Sequence, residues 1–216
     1  MPGRRQFFGQ LMMLGAGAGM SVKESTAEPE LLHVPGEESP HELTLMQWPV
    51  HRGVYSDAAF LDQVQQTVAT IANAIAEFEP VVILADREDF RPARRKLTHR
   101  VAHWDVPTED LWCRDSGPLF AWREDGQRVV SHLRFNGWGG RQVHDRDGQI
   151  AARVAAQLNE PLVDSGLVGE AGGVEHDGHG LLLAHESSWV HDNRNPGMTR
   201  AVIEERLLRA YGAETL

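Results

Sequence analysis

The sequence predicts an α/β protein in which a unit of strands and one helix is repeated along the chain. Two amphipathic segments each lead through a proline into a short apolar run, and a third lies near residue 216. Hairpin-like segments with turn residues lie between them. Because one such unit cannot bury its own apolar face, the repeat favours sectors packed around an axis, with an α+β sandwich as the alternative.

The first 42 residues precede the repeat. Residues 1–28 are predicted to be a twin-arginine-type export signal, because Arg4 and Arg5 precede a short Gly- and Ala-rich apolar run. That run, residues 11–20, is too short to span a bilayer, and no other membrane span is predicted. The alternative is a basic segment that stays on the protein. We expect a periplasmic or secreted location, with a polar linker over residues 29–42.

The first unit contains the clearest helical period. Its apolar residues recur every three or four positions, at Leu61, Val64, Val68, Ile71, Ile75 and Phe78. Ser56 can cap this helix and Pro80 stops it. The apolar run at 81–84 then predicts a buried strand, so we expect the helix to pack on a sheet.

The second unit repeats this pattern. Its predicted helix places Ile150, Val154 and Leu158 on one inward face. Pro161 marks a turn, and residues 162–163 begin the next strand.

The third unit contains a further amphipathic helix. Thr199 can cap it, Ile203, Leu207 and Tyr211 share one face, and Gly212 ends it.

Two hairpins lie between the helices. The first joins strands at 119–122 and 129–135, and the second joins strands at 173–176 and 181–184. The repeated unit is therefore interpreted as hairpin, helix and strand. Because only four residues follow Gly212, we expect an incomplete set of about three sectors with an open sheet edge, and hence a chain that oligomerises or pairs with a complementary fragment.

Composition excludes some classes of partner. The chain has 21 Lys and Arg against 31 Asp and Glu, a formal net charge of -10. No basic block is present beyond residues 91–100, which argues against a nucleic-acid partner. Cys113 is the single cysteine, so an internal disulfide is excluded.

Three segments carry more glycine and polar residues than folding requires: WCRDSGPLF, FNGWGGR and GEAGGVEHDGHGLLL. In the first, Arg114 and Asp115 stand between apolar residues and are expected to be partly buried, which is costly unless something satisfies them. They could form an ion pair with each other or await a charged ligand. Adjacent residues of a strand point to opposite faces and cannot easily pair, which favours the second alternative, a charged ligand.

Together with HDNRNPGMTR and MQWPVHRG, these segments resemble the agmatine deiminase and Porphyromonas-type peptidylarginine deiminase family over residues 43–216. RDSGP, FNGWGG, the E-x-G-G turn leading to DGHG, and NRNP occur in the family's order. The resemblance implies a pentein-type α/β propeller, five-sectored in the complete family and about three-sectored here, so residues 43–216 would be the N-terminal part of a deiminase domain. It also implies hydrolysis of a guanidinium group to a ureido group plus ammonia, through a covalent cysteine intermediate.

The resemblance also implies the site residues. Asp115 and Glu170 would be catalytic carboxylates that clamp the guanidinium group of a small-molecule or peptidyl substrate, because its planar fork of donors needs paired acceptors. Glu170 could instead be a solvated loop residue, and Ala171 stands where the family usually has Gly.

Aromatic and amide residues complete the expected site. Trp112 would form an aromatic wall against the planar cation, and Trp112, Asn136 and Trp138 are the expected substrate-binding residues beside Asp115. Arg194 and Asn136 would also support the site. The glycine-rich loop could equally be a structural turn around a buried Trp138.

Other chemistry is weaker in this sequence. His176 and His179 are poorly spaced for chelation, so no metal and no cofactor are expected. Cys113 is interpreted as a core thiol, because the family usually has methionine there and a carboxylate neighbour raises a thiol pKa. The family's G-H-x-D stretch and late cysteine do not occur here. We therefore expect an inactive chain; a non-catalytic guanidinium-binding or partner-completed module, or an unrelated thiol or metal protein, are the alternatives.

Overall fold

The computed structural model describes residues 32–216. These residues form seven α-helices and nine strands, and the strands are arranged in three sheets. The strands are β1 Leu32–His33, β2 Thr44–Gln47, β3 Val81–Ala85, β4 Val101–Asp105, β5 Leu119–Arg123, β6 Arg128–His132, β7 Leu162–Asp164, β8 Val174–His176 and β9 Leu182–Ala184. The helices are α1 Ala58–Ile75, α2 Arg87–Ala93, α3 Cys113–Ser116, α4 Gly137–Gly140, α5 Ile150–Leu158, α6 Glu186–Trp189 and α7 Arg200–Tyr211. In the described part of the chain, no helix is long and apolar enough to cross a membrane.

The first sheet is parallel, with strand order β2-β3-β4. Every residue of β3 is buried, and the buried face of α1, centred on Val68 and Ala72, packs in the same core. This sheet contains no hairpin, so the predicted hairpin, helix and strand unit is wrong for the first repeat.

Helix α1 differs from its prediction at both ends. Asp57, rather than Ser56, caps it, because its carboxylate accepts hydrogen bonds from the N–H groups of residues 59 and 60 at 2.7 and 3.2 Å. Phe78 lies in the turn beyond the last helical residue and is 89% exposed, and Ile71 lies on the outer side of the helix. The apolar period therefore predicted the helix correctly but extended its buried face too far.

The second sheet has the order β1-β5-β6-β7. The predicted hairpin is confirmed as β5 and β6, and β7 pairs parallel with β6. Ile150 and Val154 of α5 are fully buried, as predicted, and Asn159 ends the helix in the left-handed conformation.

Strand β1 lies inside the segment 29–42, predicted to be a polar linker. Leu32 and Val34 are buried, and Leu32 pairs with Arg123 of β5. These two apolar side chains anchor a segment whose overall composition is polar, so residues 32–34 belong to the folded core and not to a linker. The predicted export signal, residues 1–28, lies outside the described residues.

The third sheet is the predicted hairpin, β8 and β9. Helix α7 is capped by Thr199 and ends at Gly212, and Ile203, Leu207 and Tyr211 are buried, all as predicted. After α7, residue 215 forms a parallel bridge with residue 181, just as β7 pairs with β6 after α5. The second and third units therefore share one order of elements.

Candidate functional site

Two of the predicted site segments contact each other. Helix α3 packs on the 3-10 turn Ala171–Gly173, which directly follows Glu170. A Cβ atom added at Gly172 would lie 2.4 Å from Oδ1 of Asp115. The Asp115 carboxylate therefore rests directly on the backbone of this turn, where only glycine fits.

The indole of Trp138 lies near the Asp115 carboxylate on a second side and favours its charged form. Burial raises the pKa of Asp115 above its usual value, and the nearby indole of Trp138 opposes that rise. The positive charges of Arg114 and Arg194 also oppose it. The sequence thus predicted correctly that the charge of Asp115 would be partly buried.

The loop carrying Trp138 is fixed by a ring contact and by side-chain hydrogen bonds. Trp138 has φ 56° and ψ 44°, and its ring meets Phe135 edge-on with centroids 5.0 Å apart. Asn136 accepts a hydrogen bond from the N–H of Gly139 at 2.8 Å and donates one to the carbonyl of Asn193 at 2.9 Å. Asn193 donates in turn to the carbonyl of Gly139 at 2.9 Å. Asn136 therefore supports the loop that aims Trp138 at the Asp115 carboxylate.

Glu170 is buried beside this carboxylate and is not a solvated loop residue. Its Oε1 accepts a hydrogen bond from Nη1 of Arg194 at 2.8 Å, and both side chains are about nine-tenths buried. Its Oε2 is buried without a partner among the described residues. Burial raises the pKa of Glu170; Arg194 opposes the rise, and the negative charge of Asp115 adds to it. One oxygen of the pair with Arg194 therefore remains free for a further donor.

Arg114 does not form an ion pair with Asp115. It instead pairs with Glu37, on an exposed part of the surface. The strand geometry used to separate the two residues is wrong, because residues 113–116 form a helical turn. The result is the same, since successive residues of a helix also point in different directions.

Trp112 stands at the amino end of α3 with 51% of its surface exposed. Its carbonyl oxygen accepts hydrogen bonds from the N–H groups of Asp115 and Ser116 at 3.1 and 3.2 Å, so its backbone is fixed while its side chain is about half exposed. A half-exposed indole thus stands on a fixed backbone three residues before Asp115.

A buried acidic network that the sequence did not predict fixes the segment before Trp112. Asp147 accepts hydrogen bonds from the N–H groups of Glu109 at 2.8 Å and Asp110 at 3.1 Å. The Glu109 side chain in turn accepts a hydrogen bond from the backbone N–H of Arg146 at 3.1 Å. Asp110 accepts hydrogen bonds from Tyr55 and Gln142. The only sequence signal was the acidic pair of Glu109 and Asp110 just before Trp112, and nothing in it identified the distant Asp147.

We expect Asp147 to make the stability of the fold depend on pH. Burial raises its pKa to about 6, against 3.8 ordinarily, with the two backbone hydrogen bonds opposing the rise. Its protonation therefore favours the folded state; the gain is complete below the unfolded pKa and is lost as pH rises through the folded pKa. Relative to Asp147→Asn, the wild-type free energy of unfolding should rise by about 1 kcal/mol between about pH 7 and 5 in urea titrations. A difference that stays constant with pH would contradict this.

Cys113 is a poor nucleophile in this setting. Burial raises the pKa of its thiol to about 12, and the negative charges of Asp147 and Asp115 add to the rise. The thiol is therefore protonated at neutral pH. Within residues 32–216, no group of three or more His, Cys, Asp or Glu side chains could hold a metal ion.

Comparison with known proteins identifies the family of this chain and the proteins whose fold is similar. The family model of the Porphyromonas-type peptidyl-arginine deiminases matches residues 33–216. Agmatine deiminase of Stutzerimonas stutzeri is 32% identical over 204 residues, which cover 91% of this chain and 55% of that protein. The structure of Enterococcus faecalis agmatine deiminase matches with a TM-score of 0.78 and 27% identity, over 86% of this chain and 52% of that one.

A substrate-bound agmatine deiminase of C. jejuni is similar in fold, with a TM-score of 0.76 at 20% identity, over 88% of this chain and 56% of that one. The α/β fold is thus similar to that of the agmatine deiminases, the pentein fold. The chain spans about half the length of these relatives.

Proposed function

Because the chain belongs to the Porphyromonas-type peptidyl-arginine deiminase family, we propose that Asp115 and Glu170 together bind the guanidinium group of a substrate. A guanidinium ion presents five N–H donors in one plane and has no acceptor. Two carboxylates can hold it in register, whereas one leaves several donors unpaired.

The observation that carries this proposal is the free Oε2 of Glu170. A buried carboxylate oxygen without a partner costs free energy, and here it lies in a site whose other carboxylate, Asp115, repels it. A bound cation satisfies the oxygen and neutralises the repulsion at once. Trp112 would cover the flat face of that cation, while Asn136 and Trp138 keep Asp115 in place.

In the complete enzyme we propose hydrolysis of the guanidinium group. A cysteine thiolate would attack the guanidinium carbon, ammonia would leave, and water would then release the ureido product. Cys113 does not suit this role, because its thiol is protonated at neutral pH and it is the single cysteine of the 216 residues. We propose that the nucleophile and the histidine that moves protons come from outside this sequence, and that these 216 residues alone are inactive.

A non-catalytic guanidinium-binding module, or one completed by a complementary chain, is the second candidate. The free oxygen of Glu170 favours it equally, since binding needs the clamp and not the nucleophile. Free and peptidyl guanidinium compounds are both proposed ligands.

The proposed periplasmic or secreted location would be tested by fractionating cells that express the chain with Arg4 and Arg5 intact or both replaced by lysine.

We expect the chain to bind agmatine or an Nα-acetyl-arginine amide measurably by calorimetry, and Asp115→Asn or Glu170→Gln to weaken that binding at least about tenfold. Each variant removes one charge-assisted contact with the guanidinium group. Glu124→Gln, in the exposed turn between β5 and β6, is the matched control and should bind like the wild type. Equal binding by all four proteins would refute the clamp, and ammonia release dependent on Asp115 would refute the proposed inactivity.

A further inference from the structure

A group of arginines on and after α2 lies outside the candidate site, and among residues 32–216 it has no acidic partner. We name it the α2 basic patch, and its members are Arg91, Arg94, Arg95 and Arg100, all of them exposed. None of the four makes an ion pair with a residue in 32–216. The other two cations of this segment are paired, Arg87 with Asp105 at 3.6 Å and Lys96 with Asp62 at 2.7 Å.

Such a cluster is unexpected in this chain. Acidic residues outnumber Lys and Arg by 31 to 21, so carboxylates are in excess. The nearest acids on α2 do not neutralise the patch, because Asp89 lies 3.8 Å from Arg146 and Glu88 makes no ion pair among the described residues. The patch therefore creates a local positive field on an acidic protein.

A cavity of about 270 Å³ opens beside the patch, between α2 and β4. Its floor is fixed, because the ring of His103 stacks on Phe90 with centroids 3.9 Å apart and its Nε2 lies 2.9 Å from a backbone carbonyl. Arg94, Thr98 and His99 also line it, and their side chains make no hydrogen bond with any residue in the described part of the chain. Three side chains that can donate hydrogen bonds thus surround one rigid, partly aromatic hollow.

We propose that this cavity binds a phosphate or phosphate-ester anion. The guanidinium group of Arg94 matches two oxygens of such an anion, and Thr98 and His99 can donate to others. A tetrahedral anion accepts from several directions at once, which suits donors placed around the hollow better than a planar carboxylate does. The remaining arginines of the α2 basic patch strengthen the field without touching the anion.

The site is independent of the guanidinium clamp. None of its lining residues lines the surroundings of Asp115 or contacts Glu170. Failure of one proposal would therefore leave the other unaffected, because anion binding here requires neither carboxylate.

The test is a calorimetric titration of the 216-residue chain with inorganic phosphate, with sodium chloride holding the ionic strength constant. We expect saturable binding that Arg94→Gln weakens by about tenfold and Thr98→Val by a smaller factor. Arg153→Gln removes another exposed arginine, on α5, that forms no ion pair within residues 32–216, and it should leave the affinity within about twofold of wild type.

Three outcomes would overturn the proposal. The first is a dissociation constant for phosphate larger than about 10 mM. The second is an equal loss of phosphate affinity in Arg94→Gln and Arg153→Gln. The third is binding seen only with anionic vesicles. The second would mean that only net charge attracts phosphate. Vesicles of phosphatidylglycerol provide the third comparison, because Arg94-dependent binding to them without binding of free phosphate would assign the patch to a lipid surface.

Discussion

Replacing Arg194 by methionine should destabilise the folded protein by about 3–5 kcal/mol. The variant leaves Glu170 buried with both carboxylate oxygens unpaired and the charge of Asp115 still present. It also removes the hydrogen bond from Arg194 to the carbonyl of Ser188, 2.7 Å long in the wild type. Methionine keeps most of the aliphatic stem of arginine, so the loss reports mainly on the guanidinium charge and its hydrogen bonds. Urea unfolding at neutral pH measures it.

Two controls identify the cause. Arg209→Met breaks an exposed ion pair with Glu205 on α7 and should cost no more than about 1 kcal/mol. Adding Glu170→Gln to Arg194→Met should restore much of the stability, because the buried charge is then gone. A cost for Arg194→Met no larger than that for Arg209→Met would mean that Glu170 is not a buried charge.

The same variant should depend on pH. The pKa of Glu170 is already raised by burial, and removing Arg194 raises it further. A carboxyl whose folded pKa exceeds its unfolded pKa stabilises the fold when protonated, and that contribution disappears as pH rises through the folded pKa. Arg194→Met should therefore regain stability on acidification relative to the double variant.

Gly212→Ala should cost about 3 kcal/mol or more. Gly212 ends α7 with φ 69°, a conformation that alanine adopts only with strain. Its added Cβ would also lie 1.5 Å from the carbonyl oxygen of Leu32, so the strand β1 must move away. Thermal and urea unfolding of the 216-residue chain measure this loss.

Gly126→Ala separates the two causes. Gly126 has φ 82°, but a Cβ there meets nothing within 4 Å. Its cost should therefore be only the backbone strain, about 1 kcal/mol. Equal costs at both glycines would show that β1 yields freely and that the contact with Leu32 contributes little.

The helices were predictable because their periods are local. Ile150 and Val154 of α5, like Ile203 and Leu207 of α7, bury the faces that the sequence indicated. Phe78 was mistaken for a core residue because periodicity does not show where a helix stops. Strand β1 was missed because two residues give no period, and its structure depends on a partner in β5 far along the chain.

The carboxylates of the site were predicted from motifs, but their partners were not. The family resemblance implied Asp115 and Glu170, and left Arg194 as a general support. Its ion pair with Glu170 and the hold of Asp147 on the segment before Trp112 join residues far apart in sequence. Such pairings follow from the packing of separate units, which no single stretch of sequence encodes.

The position of β1 has a consequence for folding during synthesis. The sheet of β2, β3 and β4 uses only residues 44–105 and can form as soon as that part of the chain leaves the ribosome. Strand β1, although made earlier, must wait for its partner β5, and the N–H of Val34 waits still longer for the carbonyl of Tyr211. Until residue 211 has been translated, the N–H of Val34 therefore lacks this partner. Contacts that join residues so far apart in sequence form late, because a long loop must close first.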